Sequence, residues 1–187
     1  FITFLQEELK HSISRDYEMW RAYSNFHMGD YEAAKQEFIK LKKEDPQEVV
    51  FNLYLASCCF YQGDFEKAAE YAAQGPSGDL QSRLMLHINH QLGDEDKLHE
   101  ISRSLHPTQF NQLTIAAAQY LRAEYDDAMA TYQKLLTQYP DYIALNVYIA
   151  MCLFKLELYE DANQTLDQYL AICSDSAVAL NLKACIF

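Results

Sequence analysis

Two histidines are the first candidates for chemistry in this sequence. His87 and His90 lie three residues apart in the segment LHINHQLGDEDKLHE, residues 86–100, and so share one face of a helix. Two imidazoles at that spacing can offer two ligands to zinc. The HExxH arrangement is missing and no third ligand is specified, so a solvated or partner-facing pair is favoured. A metal-dependent enzyme stays as the weaker alternative.

Motifs for other kinds of catalysis are not found. The sequence contains no GxSxG, no glycine-rich phosphate loop and no kinase signature, and its five glycines leave little material for phosphate-binding loops. The five cysteines are an odd number without CxxC spacing, which indicates small, unpaired core residues. We therefore predict a protein with no catalytic activity, no resident metal and no cofactor.

Charge and hydropathy argue against two further classes of partner. The formal net charge is −12, which would repel a nucleic acid backbone. The longest apolar stretch, IALNVYIAMCLF at residues 143–154, is well short of the roughly twenty residues that span a bilayer. The sequence thus predicts neither nucleic acid binding nor membrane insertion.

The elements that position all these residues are revealed by an internal repeat. GDYEAAKQEF at residues 29–38 returns as GDFEKAAEYA at residues 63–72, a spacing of 34 residues. Small residues recur at two fixed positions, with steps of 34 residues and two steps of 30 around a deviant third unit. The first set is Ala22, Ala56, Leu86, Ala116, Ala150 and Ala184, and the second is Ala34, Ala68, Leu98, Ala128 and Ala162. Alanine at such positions predicts close contact between helices.

Each unit also has the residues of a helical hairpin. An aromatic residue lies three positions before the second alanine in four units, and Pro46 and Pro140 follow two of the second helices. Between the helices, HMGDY and YQGDF place Gly29 and Gly63 where a tight turn needs a permissive backbone, each followed by an aspartate as N-cap.

This pattern resembles the tetratricopeptide repeat, a helix-turn-helix unit of 34 residues. The resemblance implies an all-α, right-handed superhelix, an α-solenoid of about five hairpins in a single array over residues 1–187. The expected units are residues 15–48, 49–78, 79–107, 109–142 and 143–175, with a further first helix from Ser176 and a helix in residues 1–13 that packs on the first unit. The GPSG segment at residues 75–78 predicts a short second helix, or alternatively a kink in the array.

The chain is expected to be a piece of a longer protein. It begins with Phe1, and SAVALNLKACIF at its end forms a first helix without a companion. The stripe Leu180, Ala184 and Phe187 is therefore expected to be partly bare.

In tetratricopeptide arrays the first helix of each repeat lines the inner groove, and the resemblance implies a groove suited to an amphipathic helix of a partner. The predicted partner-binding residues are Met19, Tyr23, Phe26, Leu53, Phe60, His87, His90, Phe110, Leu113, Tyr120, Val147, Met151 and Phe154.

Three stretches resemble a particular family more closely. LQSRLMLHINHQLGDEDKL at 80–98, ALNVYIAMCLFKLELYEDA at 144–162 and VALNLKAC at 178–185 are similar to the intraflagellar transport protein 56 family, also called tetratricopeptide repeat protein 26. This resemblance implies a non-catalytic scaffold in intraflagellar transport complex B, acting in cilium or flagellum assembly and ciliary cargo transport. Its partners would be other complex B subunits and ciliary cargo proteins, and it would be found in the cilium and in the cytoplasm near the basal body. The alternative is a cytosolic adaptor that binds a linear peptide or helix in signalling or protein quality control.

Overall fold

The computed structural model describes residues 2–186, and it describes side chains from Arg15 to Ile186. Within these residues the chain forms eleven α-helices and no β-strand. Their contacts divide the chain into two compact units, the first extending to Leu105 and the second beginning at His106.

The first unit contains three helical hairpins. Its helices are α1 (Ile2–His27), α2 (Tyr31–Glu44), α3 (Phe51–Tyr61), α4 (Phe65–Ala73), α5 (Asp79–Leu92) and α6 (Glu95–Ser104). Each helix packs against the next along the chain, and the first helices α3 and α5 also contact each other. The predicted helix in residues 1–13 does not form a separate element, because α1 continues through these residues. The predicted packing of this segment on the first unit concerns side chains that lie outside the described residues.

The second unit contains two hairpins and one further helix. Its helices are α7 (Gln109–Leu121), α8 (Tyr125–Gln138), α9 (Leu145–Lys155), α10 (Tyr159–Leu170) and α11 (Ala177–Ile186). Here too each helix packs on the next, and α9 contacts α11. The predicted hairpins therefore agree with the helices of both units, whereas a single array with a kink at GPSG stays a prediction.

The recurring alanines hold the hairpins together. Every alanine of the two sets up to residue 162 is completely buried, so the predicted close contacts are confirmed. In the third hairpin Leu86 is also completely buried and Leu98 is 3% exposed, so both fill the same positions with a larger side chain. Ala184 is the exception, because it is exposed on α11 and no helix of the described chain follows to cover it. Leu180 on the same helix is 47% exposed, as expected for this stripe, and Phe187 lies outside the described residues.

The turn inside each hairpin has the same backbone in all five repeats. Gly29, Gly63 and Gly93 adopt φ values of 85°, 80° and 72°, in the left-handed region. Ala123 and Glu157 occupy the same position in the last two hairpins, with φ values of 63° and 62°. Residues other than glycine are disfavoured in this conformation, because their Cβ comes too close to the following carbonyl oxygen.

Aspartates begin the second helices of the first three hairpins. The carboxylates of Asp30, Asp64 and Asp94 accept the N–H groups of the residues three positions later, at 3.0, 3.3 and 3.1 Å. The N-caps predicted from HMGDY and YQGDF are therefore confirmed.

The GPSG segment ends a second helix that is short. Helix α4 has nine residues, against fourteen in α2 and α8. Side-chain amides satisfy carbonyl groups at its end, because Asn52 donates to the carbonyl of Gln74 at 2.9 Å and Gln81 to that of Ala72 at 2.8 Å. Gly75 lies so close to Leu53 that an added Cβ would be 2.4 Å from a Leu53 methyl carbon. An alanine here would force the buried Leu53 side chain or the backbone to shift.

Candidate protein-binding surface

An aromatic pocket lies between the first helices of repeats one and two. Its volume is about 390 Å³, and helix α1 supplies one wall while α3 supplies the other. We call it the aromatic pocket; it is lined by Met19, Trp20, Tyr23, Phe26, His27, Phe38, Tyr54 and Ser57.

The spacing of the α1 residues produces the wall of this pocket. Trp20, Tyr23 and His27 follow one another at three and four residues, so one stripe of the helix presents all three rings. The centroids of Trp20 and Tyr23 are 5.7 Å apart and edge-on, and those of Tyr23 and His27 are 4.2 Å apart. Trp20 is 65% exposed and Tyr23 is 51% exposed, so these rings form the rim.

Two further rings form the floor. Phe38 of α2 is 4% exposed, and its centroid is 5.1 Å from that of Tyr54 on α3. Ser57 adds little polarity, because its hydroxyl donates to the Leu53 carbonyl at 2.9 Å. The pocket therefore offers mainly apolar and aromatic surface to a ligand.

The fourth and fifth repeats keep this floor and lack the rim. Tyr132 and Tyr148 occupy the positions of Phe38 and Tyr54, with centroids 5.4 Å apart. At the rim positions α7 carries Thr114, Ala117 and Leu121 in place of Trp20, Tyr23 and His27. The fourth and fifth repeats therefore fold without the large rings of the rim.

Several residues predicted for the groove belong to an aromatic pair that occurs in four of the five hairpins. Phe26, Phe60, Tyr120 and Phe154 each contact, edge to face, the aromatic residue that begins the second helix. The four centroid distances are 5.4, 5.5, 5.3 and 5.6 Å. These side chains are half-buried, and their first role is to join the two helices of a hairpin.

Two predicted groove residues are wrong because they are core residues. Leu53 is 2% exposed and packs with Ala56 and Ala68, against the close approach of Gly75. Val147 is 5% exposed and packs with Ala179 of α11. Neither side chain is available to a partner.

The remaining candidates differ in exposure. Met19, Tyr23 and Phe26 meet in the aromatic pocket, and Phe110 is 67% exposed. Leu113 and Met151 are half-buried in the second unit. Trp20, His27, Phe38, Tyr54 and Ser57 line the pocket and were not predicted; the stripe of aromatic rings from Trp20 to His27 is the sequence signal that could have found the rim.

The histidine pair has a structural explanation. His90 takes the place of the first aromatic of the hairpin pair in repeat three, and its Nδ1 is buried without a hydrogen-bond partner. Burial lowers the pKa of His87, and the neighbouring His90 adds to this effect. Among the residues that the structure describes, no three His, Cys, Asp or Glu side chains form a group suited to a metal ion.

Some of the five cysteines are buried in the core and others are at the surface. Cys58, Cys59 and Cys152 are buried, Cys173 is half-buried and Cys185 is exposed, and all five are free thiols. Burial raises the pKa of Cys58 to about 12 and that of Cys152 to about 11. The prediction of core cysteines is therefore correct for three and wrong for Cys185.

Solved structures with the same fold include tetratricopeptide repeat proteins. A thermophilic one from Thermus thermophilus superposes with a TM-score of 0.71 at 17% identity, covering 92% of this chain and 96% of that one. The crystal structure of the APC/C hetero-tetramer Cut9–Hcn1 gives a TM-score of 0.70 at 15% identity, covering 92% of this chain and 36% of that one. This protein is therefore an all-α solenoid of the tetratricopeptide repeat class.

Sequence comparison identifies the family. The family model described as intraflagellar transport protein 56 matches residues 18–187. The intraflagellar transport protein 56 homolog of Caenorhabditis elegans is 30% identical over 165 residues, which are 88% of this chain and 29% of that protein. The chain belongs to the intraflagellar transport protein 56 family and spans less than a third of this relative. No helix within residues 2–186 is long and apolar enough to cross a bilayer.

Proposed function

We propose that this chain is a non-catalytic scaffold subunit of intraflagellar transport complex B. In this role it binds other complex B subunits and ciliary cargo proteins, and so supports cilium or flagellum assembly and cargo transport. It acts along the cilium and at the basal body, with a cytoplasmic pool.

The observation that carries the proposal is the family match over residues 18–187. The fold supports a binding role, because stacked helical hairpins offer extended surfaces for protein partners. Exposed aromatic side chains on the first helices give this chain the residue types that are enriched at protein interfaces.

Two surfaces would serve this role. In the first unit the proposed surface is the rim of the aromatic pocket together with the half-buried side chains of Phe60, His87 and His90. In the second unit it comprises Phe110, Leu113, Tyr120, Met151 and Phe154, of which Phe110 is the most exposed.

The test is to tag the natural full-length protein in ciliated cells. We expect axonemal and basal body localisation, co-purification with complex B subunits, and a defect in cilium assembly or cargo entry when the protein is removed. Diffuse cytosolic localisation with co-purification of signalling or protein-quality-control proteins would favour the cytosolic adaptor instead and contradict the proposal.

A further inference from the structure

We propose that the aromatic pocket captures one apolar side chain of a basic partner segment, with a Lys or Arg of that segment placed about one helical turn from the apolar anchor. The inference rests on the proposed scaffold function, since it names the chemistry of one partner surface. It goes beyond that function by assigning the contact to the first two repeats.

The rim of the pocket is not explained by the fold. Trp20 and Tyr23 are more than half exposed, and the fourth repeat carries Thr114 and Ala117 at their positions. Tyrosines fill the position of Trp20 in repeats two and five, but the position of Tyr23 carries Ser57 and Met151 there. Two large rings at the surface expose apolar area to water, which is unfavourable, although the fourth repeat folds without them. A bound partner would cover this area. Aromatic anchors of this kind commonly provide much of the binding energy of an interface.

The size and lining of the pocket fit a side chain. Its volume of about 390 Å³ lies at the low end of the range for ligand-binding cavities, which is roughly 300 to 1,000 Å³. Its lining includes no Asp, Glu, Lys or Arg, and the Ser57 hydroxyl is already bonded to the backbone. A leucine, methionine or phenylalanine of a partner would find apolar contact on the floor and both walls.

The charges around the pocket select a basic segment. Asp16 is exposed one turn before Trp20 on α1, and the described residues give it no ion-pair partner. The two described cations of α1 are already engaged: Arg15 contacts Asp45 at 2.8 Å and Arg21 contacts Glu37 at 2.6 Å.

A lysine of α2 is also engaged by α1. Lys40 of α2 contacts Glu18 at 2.6 Å, and helix α3 has no charged residue. A partner Lys or Arg would therefore find the carboxylate of Asp16, which no described residue pairs with, one turn from the ring of Trp20.

The net charge of −12 argues in the same direction. It favours encounter with basic segments and opposes the approach of an acidic segment or a second copy of this chain. We therefore commit to a basic partner segment as the occupant.

The experiment uses two synthetic peptides and the tryptophan of the pocket. Both peptides carry the same leucine stripe at helical spacing, one with lysines and the other with glutamates at the remaining positions. Trp20 is the single tryptophan of the chain, so its emission reports on the rim directly. We expect the lysine peptide to shift Trp20 emission to shorter wavelength, with an affinity that falls as salt is added.

Four variants locate the contact, with fluorescence anisotropy of labelled peptide as the readout. Tyr23→Ala and Trp20→Thr install the residues that the fourth repeat carries, so we expect each variant to fold. Each should bind the lysine peptide at least roughly tenfold more weakly. Asp16→Asn should weaken binding of the lysine peptide and reduce its salt dependence. Tyr17→Ala is the matched control, because Tyr17 is 66% exposed on the same helix and does not line the pocket.

Several results would overturn the inference. They are failure of the lysine peptide to bind, equal binding of the glutamate peptide, and unchanged affinity in the folded Tyr23→Ala and Trp20→Thr variants. A Trp20 shift that grows with protein concentration in the absence of peptide would identify a second copy as the occupant.

Co-purification with complex B subunits is measured in parallel on the full-length protein. If subunits co-purify while the peptide test fails, only this inference is wrong. If the peptide binds at the pocket while no subunit co-purifies, the proposed function is wrong.

Discussion

The turn position shared by all five hairpins allows a test of backbone strain in both directions. Gly63 has a φ of 80°, and Ala123 has a φ of 63° at the same place in the fourth hairpin. A Cβ added at Gly63 would meet no atom within 4 Å, so Gly63→Ala changes the backbone preference without a steric clash. Ala123→Gly is the reverse change within the same chain.

The magnitude follows from two opposing terms. A left-handed conformation costs an L-residue about 1 to 2 kcal/mol relative to the right-handed one. Alanine also restricts the unfolded chain, which favours folding by about 0.4 to 1 kcal/mol relative to glycine. The net expectation is that Gly63→Ala lowers the free energy of unfolding by ~0.5 to 1 kcal/mol. Ala123→Gly should raise it by a similar amount.

Thermal unfolding followed by circular dichroism is the assay. For a chain of this size, 1 kcal/mol corresponds to roughly 2 to 4 °C, so we expect shifts of about 1 to 4 °C of opposite sign. Glu157→Gly repeats the test in the fifth hairpin, where φ is 62°. If Ala123→Gly and Glu157→Gly both destabilise the protein, the left-handed strain assigned to these turns is refuted.

Three further predictions concern packing and titration. Ala150→Leu should lower the free energy of unfolding by about 1 to 3 kcal/mol in urea titrations, because Ala150 is completely buried. Ala184→Leu is the control, because Ala184 has the same repeat position but is exposed, and it should leave the free energy nearly unchanged. Equal effects of the two substitutions would contradict the repeat phase. Gly75→Ala should cost a similar ~1 to 3 kcal/mol because its Cβ would overlap Leu53, and an unaltered melting temperature would contradict this. Burial lowers the pKa of His87, so below about pH 6.5 the unfolded chain binds more protons than the folded one. The free energy of unfolding should therefore fall as the pH drops through that value, and it should fall less steeply in His87→Gln. Urea midpoints that depend equally on pH in the two proteins would refute this prediction.

The repeat frame could be predicted because it depends on local steric rules. Alanine is needed where two helices touch, and a permissive residue followed by an N-cap is needed at the turn, so Ala56, Ala150, Gly63 and Asp64 indicate the hairpin directly. Even the deviant third hairpin keeps the frame, since its Leu86 is completely buried.

The groove could be predicted only in part. Sequence spacing says which residues share a helical face, but it does not say how far the next hairpin covers that face. Leu53 is covered by the approach of Gly75, and Val147 by α11, whereas Tyr23 remains exposed on the corresponding helix of the first repeat. The depth of coverage depends on packing between non-adjacent residues, which a repeat phase does not specify.

Repetition within one chain separates structural residues from candidate functional ones. A side chain that recurs at the same repeat position, like the rings of the hairpin pairs, is explained by the fold because four of the five hairpins use it to join their two helices. A large ring whose position is filled by other residue types elsewhere, like Tyr23 beside Ser57, Ala117 and Met151, has no such explanation. Exposure points the same way, because the apolar surface of a ring that is 51% exposed, as Tyr23 is, contributes little to folding until something covers it. The first two repeats are therefore where a partner of this chain should be sought first.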